Sequence, residues 1–352
     1  MCPPVDYDYV RARWHGILSP SARDAFPDAE TAFDRDGAPV WIGYLGRHGR
    51  DFRVRQKYDL VRIEGSTHKA ALGESVGVHG PAEIGAFLGG LAGRMGVDPD
   101  RLLEAEVSRL DLGANLPVPR PVAEYVRLTA PPPRTFQRYR RPGSVAFGNT
   151  SRQLILYDKV AKVRRTERRR GVALLPPEMA GRNVLRAELR VERVKPTFGG
   201  PVTLGALCDP DFYERAAGEW SRRFSEMPLD GGGLSLDPGG PFPRTVPELR
   251  DGLAAVGVAA SGGASAVVGR IDDERSRGAL GANPASRMRG WVRGLASRHV
   301  PASDAALVGD LRDAVRRAHL MSLGAAGIER AARDAARGHG PRSDTSVRSP
   351  SE

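Results

Sequence analysis

The chain has 352 residues, 40% of them hydrophobic and 27% charged, and its 53 Lys and Arg outweigh 42 Asp and Glu for a net charge of +11. That length supports one large or two modest domains with real cores, and the charge favours a polyanionic partner, nucleic acid above all. No stretch has the apolar length of a membrane span, the opening MCPPVDYDYVRARW lacks a leader pattern, and Cys2 and Cys208 are too few for a disulfide framework, so a cytoplasmic protein with reduced cysteines is expected.

Only five of the basic residues are lysines, a skew that the abundance of Ala, Gly and Pro ties partly to base composition. The positive charge is therefore more informative than the choice of arginine.

In chain order, APVWIGYLG (38–46) and FRVRQKYDLVRIEG (52–65) read as neighbouring strands joined by the turn signal RHGRD. GPAEIGAFLGGLAGRMG (80–96) has apolar residues at helical spacing with Pro81 in its first turn. EAEVSRLDLGAN (104–115) reads as a strand and PVAEYVRLTA (121–130) as a helix opened by Pro121. PPPRTFQRYRRPG (131–143) reads as a basic loop, and SVAFGNTSRQLILYDKV (144–160) as a hairpin turning at Asn149. VAKVRRTERRRG (160–171) is a basic helix and RNVLRAELRVERV (182–194) another strand. DPDFYERAAGEWSRRFSEM (209–227) is helical, a Gly/Pro-rich linker occupies 228–247, residues 248–338 are mainly helical, and 339–352 form a polar tail without a basis for order. The fold class is α+β: a central antiparallel sheet with flanking helices, followed by a mainly helical C-terminal region.

Alternation in three of these strands divides apolar from polar positions. Leu154 and Leu156 fall on one side of QLILYDKV, with Ile155, Tyr157 and Lys159 on the other. In VSRLDLG, Leu110 and Leu112 oppose Arg109 and Asp111. In LRAELRVE, Leu185, Ala187, Leu189 and Val191 oppose Arg186, Glu188, Arg190 and Glu192. If the three strands share one sheet, a tyrosine, a lysine, two carboxylates and several arginines meet on one face. The pattern fits two readings: an ordinary half-solvated sheet with cross-strand ion pairs, or a site for phosphoryl chemistry. In the second, carboxylates and substrate phosphate would hold Mg²⁺ or Mn²⁺, and a nearby cation would favour the phenolate of an attacking tyrosine.

Taken in order, IEGSTHKAALG (63–73), VSRLDLGANL (107–116), GNTSRQLILYDKV (148–160) and LRAELRVERV (185–194) resemble successive blocks of the gene II replication proteins of filamentous bacteriophages. More loosely, they are similar to plasmid rolling-circle initiators with an IRIYDK-type tyrosine block. The resemblance spans roughly residues 38–200. It implies a rolling-circle initiator that nicks and rejoins one strand of supercoiled origin DNA through a 5′-phosphotyrosine, leaving a 3′-OH primer. Residues 1–200 would be the origin-nicking domain, 201–247 a helix and linker, and the C-terminal helices a part that binds DNA, binds a host helicase or only packs onto the rest. The nucleophile would be Tyr157 with Lys159 as its cation, and the metal ligands Asp111 and Glu188. Ser66 and Lys69 would lie near the DNA backbone or the active site, and His68 could join a metal shell. No His-hydrophobe-His pair occurs among the seven histidines, so metal binding would rest on carboxylates.

RTFQRYRRPG interleaves Phe136 and Tyr139 with Arg134, Arg138, Arg140 and Arg141, a combination suited to stacking unpaired bases and contacting phosphates. Arg109, Arg186 and Arg190 join these as expected DNA contacts. The alternative is a DNA-binding initiator or repressor without catalysis, in which Tyr157 is structural. The early position of Tyr157, in a strand-rich region, argues against a tyrosine recombinase.

Overall fold

A computed structural model describes residues 4–26, 28–45, 51–72, 80–129, 132, 135–141, 143–229, 254, 257–258, 261, 264–298 and 302–338. Ten strands form a single antiparallel sheet: β1 (Asp6–His15), β2 (Glu30–Phe33), β3 (Pro39–Leu45), β4 (Phe52–Lys57), β5 (Leu60–Gly65), β6 (Glu106–Val118), β7 (Phe136–Arg141), β8 (Ser144–Gly148), β9 (Arg152–Asp158) and β10 (Asn183–Val191). Their order is β2-β3-β4-β5-β1-β6-β10-β9-β8-β7. The α+β class with a large antiparallel sheet is therefore as expected.

The helices are α1 (Pro20–Asp24), α2 (Thr67–Leu72), α3 (Pro81–Met95), α4 (Pro99–Leu103), α5 (Val122–Leu128), α6 (Lys159–Arg170), α7 (Val194–Phe198), α8 (Leu204–Leu207), α9 (Pro210–Ser225), α10 (Ala264–Ser276), α11 (Ala282–Arg298) and α12 (Ala302–Gly338). The apolar sheet positions, among them Leu110, Leu112, Leu154, Leu156, Leu185, Ala187 and Leu189, are buried in one core with side chains of α3, α5, α9 and α12. Trp220 of α9 lies fully inside and donates its indole N–H to the Ala187 carbonyl at 3.0 Å, so a large apolar body is buried with its polar atom satisfied. Helix α12 joins the same core: Ser322 Oγ accepts from the Val5 amide at 2.9 Å, and Leu307, Leu311 and Val315 are buried there. Helices α10 and α11 instead share a small separate cluster built on Val268, Ile271, Ala285 and Val292.

Three expectations change. Residues 52–65 are two strands, not one: β4 and β5 pair across a turn where Tyr58 takes φ 52° and its carbonyl accepts from Gln56 Nε2 at 2.8 Å. Without Gly or Pro at the turn, the strand-like composition hid it. The basic loop at 131–143 contains β7, an edge strand whose arginines and aromatics are largely exposed, as an edge tolerates. Lys159 does not continue β9. Asp158 ends the strand and caps α6, its side chain accepting from the Ala161 amide at 2.8 Å, so Lys159 is the first helical residue. The RHGR of the turn signal, Arg134, Cys2, nearly all of the Gly/Pro-rich linker and the polar tail lie outside the described residues.

Candidate active site

The register puts the expected polar residues on one face. Across β6 and β10, Asp111 pairs with Arg190, Gly113 with Glu188 and Asn115 with Arg186. Across β10 and β9, Arg186 pairs with Tyr157 and Glu188 with Ile155. Tyr157 then pairs with Ser144 on β8, and Ser144 with Arg141 on β7. The alternation read from the sequence therefore holds within β6, β9 and β10, while Lys159 and Glu192, read as continuing it, lie beyond the ends of their strands.

The N-terminal strand adds what the sequence reading missed. β1 lies beside β6, and its register shifts between Tyr7 and Tyr9. A bulge of this kind re-aims side chains, and here both Asp6 and Asp8 reach the buried Arg186. Arg186 bonds Asp6 through two nitrogens at 2.8 and 2.9 Å, Asn115 at 3.3 Å and Glu188 through Nε at 3.4 Å, and lies 3.1 Å from Asp8. His68 of α2, also buried, places Nε2 3.6 Å from Asp6. Gly113 makes the space: a Cβ there would stand 2.3 Å from Arg186 Nη2. Burial alone would push the Asp6 and Asp8 carboxyls up. Arg186, helped by His68 at Asp6 and Lys159 at Asp8, outweighs that and holds both below the usual carboxylate range.

Tyr157 is 8% exposed. Its hydroxyl donates to Glu188 Oε1 at 2.5 Å and accepts from Lys162 Nζ at 3.0 Å, with the ammonium 4.1 Å from the ring centroid. The cation at the hydroxyl is thus Lys162, one helical turn beyond the expected Lys159. Lys159 is buried nearby, and burial followed by the Arg186 charge brings its pKa down to about 8. Burial and then the Glu188 charge push the Tyr157 pKa well above its ordinary value, so the hydroxyl rests as a neutral donor rather than a phenolate. Glu188 is itself raised, by burial and by the charge of Asp8.

Asp111 is differently engaged. Arg109 holds both of its oxygens, at 2.9 and 2.7 Å, and Arg190 Nε adds a third bond at 3.1 Å. Arg109 also lies over the Tyr9 ring at 4.2 Å. These groups, with Ser66, Lys69, Lys159, Tyr157 and Glu188, line one cleft of about 300 Å³ between the sheet and α6. A larger cleft of about 770 Å³ lies towards β7 and includes Tyr139 and Arg141; it adjoins the first at Tyr157, Lys162 and Glu188.

Two expected DNA contacts serve the protein instead. Arg140, opposite the core-facing Val145, donates to the Val126 and Thr129 carbonyls at 2.6 and 2.5 Å at the end of α5. Arg186 is fully buried behind Glu188. Arg138 stays exposed, lies over Phe136 at 4.6 Å and donates to the Asn149 carbonyl at 3.1 Å. Among the described residues, no group of three or more His, Cys, Asp and Glu is placed to hold a metal ion, and no helix is long and apolar enough to cross a membrane. Comparison with family models, with curated proteins and with solved structures returns no match.

Proposed function

We propose that the chain is a DNA-nicking and rejoining enzyme of the rolling-circle initiator type, with Tyr157 as nucleophile. One observation carries the reading: the Tyr157 hydroxyl sits between the Glu188 carboxyl and the Lys162 ammonium in a cleft lined by Lys69, Arg109, Arg190 and Arg170. The cations suit phosphate, and the acid and ammonium flank the oxygen that would attack it. In the forward step the Tyr157 oxygen bonds phosphorus and its proton passes to ionised Glu188. The P–O3′ bond breaks, and the departing 3′ oxygen takes a proton from Lys162 or water. The phosphotyrosine conserves the bond energy needed for rejoining.

The resemblance also implies a divalent metal. Asp111, with both oxygens bound to Arg109, does not suit a ligand role, which moves the expectation to another carboxylate. Asp8, half-buried, and Glu188, buried, both lie against Arg186 and offer hard oxygens that fit such an ion. When bound, the ion would supply charge stabilisation to a phosphoryl oxygen.

A second reading has its own support. A buried, protonated tyrosine bonded on both sides is also what a structural residue looks like, and the basic cleft would then bind DNA without cutting it. The test incubates the full chain with Mg²⁺ or Mn²⁺ and two substrates: supercoiled DNA carrying its coding region and flanks, and an end-labelled random single-stranded library. A detergent-stable adduct on a 5′ phosphate, lost in Tyr157→Phe, supports nicking. Tight binding with no adduct under any metal condition supports the second reading.

A further inference from the structure

The larger cleft differs in character from the one lined by Asp8, Arg109 and Asp111. It lies between α6 and the β7–β8–β9 edge of the sheet, and its walls include Tyr139, Arg141 and Ser144 on one side and Arg165 and Arg169 on the other. Arg165 and Arg169 are one turn apart on α6, both exposed, and point along the same flank. Tyr139 pairs with Ala146, which pairs with Ile155 beside Glu188, so the ring stands on the same sheet face as Tyr157, three strands from Glu188. That ring is 40% exposed, just past an irregularity in the β7–β8 register between Gln137 and Tyr139, and Phe136, at the start of the strand, is 48% exposed. Each ring has a guanidinium near one face, Arg141 5.8 Å from the Tyr139 centroid and Arg138 4.6 Å from that of Phe136, and the exposed remainder of each is a surface on which a flat group can stack. The acids on these walls are Asp158, bonded to the start of α6, and Glu188, bonded to Tyr157.

We infer that this second cleft is a binding site for an unpaired nucleic-acid segment, with Tyr139 as a base-stacking platform and Arg141, Arg165 and Arg169 as contacts to its phosphates. The inference rests on reading the smaller cleft as a nucleic-acid site. It adds a place for the nucleotides flanking the reactive phosphate, since the two clefts meet at Tyr157. Unpaired bases are required because a duplex keeps its base faces covered, whereas every exposed base offers a π face to an aromatic ring.

The test measures binding by fluorescence anisotropy, using the full chain carrying Tyr157→Phe so that cleavage cannot intervene. The probes are labelled dT20, a 20-mer of abasic residues with the same backbone charge, and a 20-base-pair duplex. Tyr139→Ala should weaken dT20 binding about 5- to 150-fold, the range for one stacked base, and leave the abasic probe and the duplex unchanged. Tyr139→Phe should keep dT20 affinity, because stacking needs the ring and not the hydroxyl. Arg165→Gln with Arg169→Gln should weaken dT20 and the abasic probe alike and lower the magnitude of the salt slope by about 1.4, at about 0.7 for each phosphate no longer neutralised. Thermal melts of each variant check folding; Tyr139 is exposed on an edge strand, so its removal should leave them unchanged. Equal weakening on dT20 and the abasic probe, or none on either, overturns the inference. Base-dependent binding without any nicking would leave this site standing and remove the proposed activity; nicking without Tyr139-dependent binding would do the reverse.

Discussion

Gly113 is where one added methyl group should disable the whole buried network. A Cβ at this position would lie 2.3, 2.5 and 2.8 Å from three guanidinium atoms of Arg186. A long side chain normally swings aside at little cost, but Arg186 is 1% exposed and held by Asp6, Asn115 and Glu188. Moving it separates it from Asp6 and Asp8, and breaking a buried ion pair costs about 3–5 kcal/mol. Replacing a strand glycine by alanine returns about 0.5–1 kcal/mol of backbone entropy. The net expectation for Gly113→Ala is about 2–4 kcal/mol of lost stability, read as a lower urea midpoint at unchanged slope. The double variant Gly113→Ala, Arg186→Met should then cost little more than Arg186→Met alone, because the clash has lost its target. A Gly113→Ala protein within about 0.5 kcal/mol of the parent, or full additivity in the double variant, would show that Arg186 does not need the space and that the network is looser than the geometry states.

Four further outcomes are expected. Tyr157→Phe should abolish adduct formation while changing DNA affinity by no more than about twofold, since phosphate contacts dominate binding; gel shifts and adduct assays on one sample check both. Asp8→Asn should abolish metal-dependent cleavage and Asp111→Asn should mainly loosen Arg109 and Arg190, a contrast read from Mg²⁺ and Mn²⁺ titrations of activity. Arg140→Ala should lower stability by about 1–2 kcal/mol through the freed α5 carbonyls without altering single-strand binding, measured by urea unfolding and anisotropy. Glu188→Gln addresses pH in metal-free buffer. The raised Glu188 pKa makes its contribution fully present below its unfolded value and lost as pH rises through the folded one, whereas the lowered Asp6 and Asp8 values act oppositely and are lost in acid. The Gln variant should therefore match or exceed the parent's melting temperature above neutral pH, both proteins should still unfold in acid, and when Mg²⁺ or Mn²⁺ is added only the parent should form an adduct.

Much of the site was legible because strand alternation is a local rule with few exceptions on a sheet that is buried on one face. Leu110, Leu154 and Leu189 had to face the core, which fixed Asp111, Tyr157 and Glu188 on the other side before any pairing was known. What stayed hidden depends on interruptions of that rule. Asp6 and Asp8 enter the network through an irregularity in β1, and nothing in VDYDYV distinguishes a bulge from plain alternation. Lys162 stayed hidden because the strand reading was carried through Lys159. An aspartate followed by KVAKVRR is a helix-cap signal, and applying it to Asp158 brings a residue one turn into the helix back over the strand's last side chain.

That junction bears on how the tyrosine could work. A nucleophile carried on a loop would need the substrate to order it, whereas Tyr157 is fixed in β9 by Glu188 on one side and by the first turn of α6 on the other. The same burial that fixes it keeps its proton on, because a phenolate there would be largely withdrawn from solvent and would face Glu188 and Asp8. Rigidity and reactivity therefore pull in opposite directions until something positive enters beside the acids. Neutralising the Asp8–Glu188 pair by a cation would lower the cost of the phenolate and keep Glu188 ionised to accept the proton. Activity that requires an added divalent ion, in a protein whose melting temperature that ion also raises, is the joint behaviour this arrangement demands. An ion that raised the melting temperature equally in a protein carrying both Asp8→Asn and Glu188→Gln would be bound somewhere else.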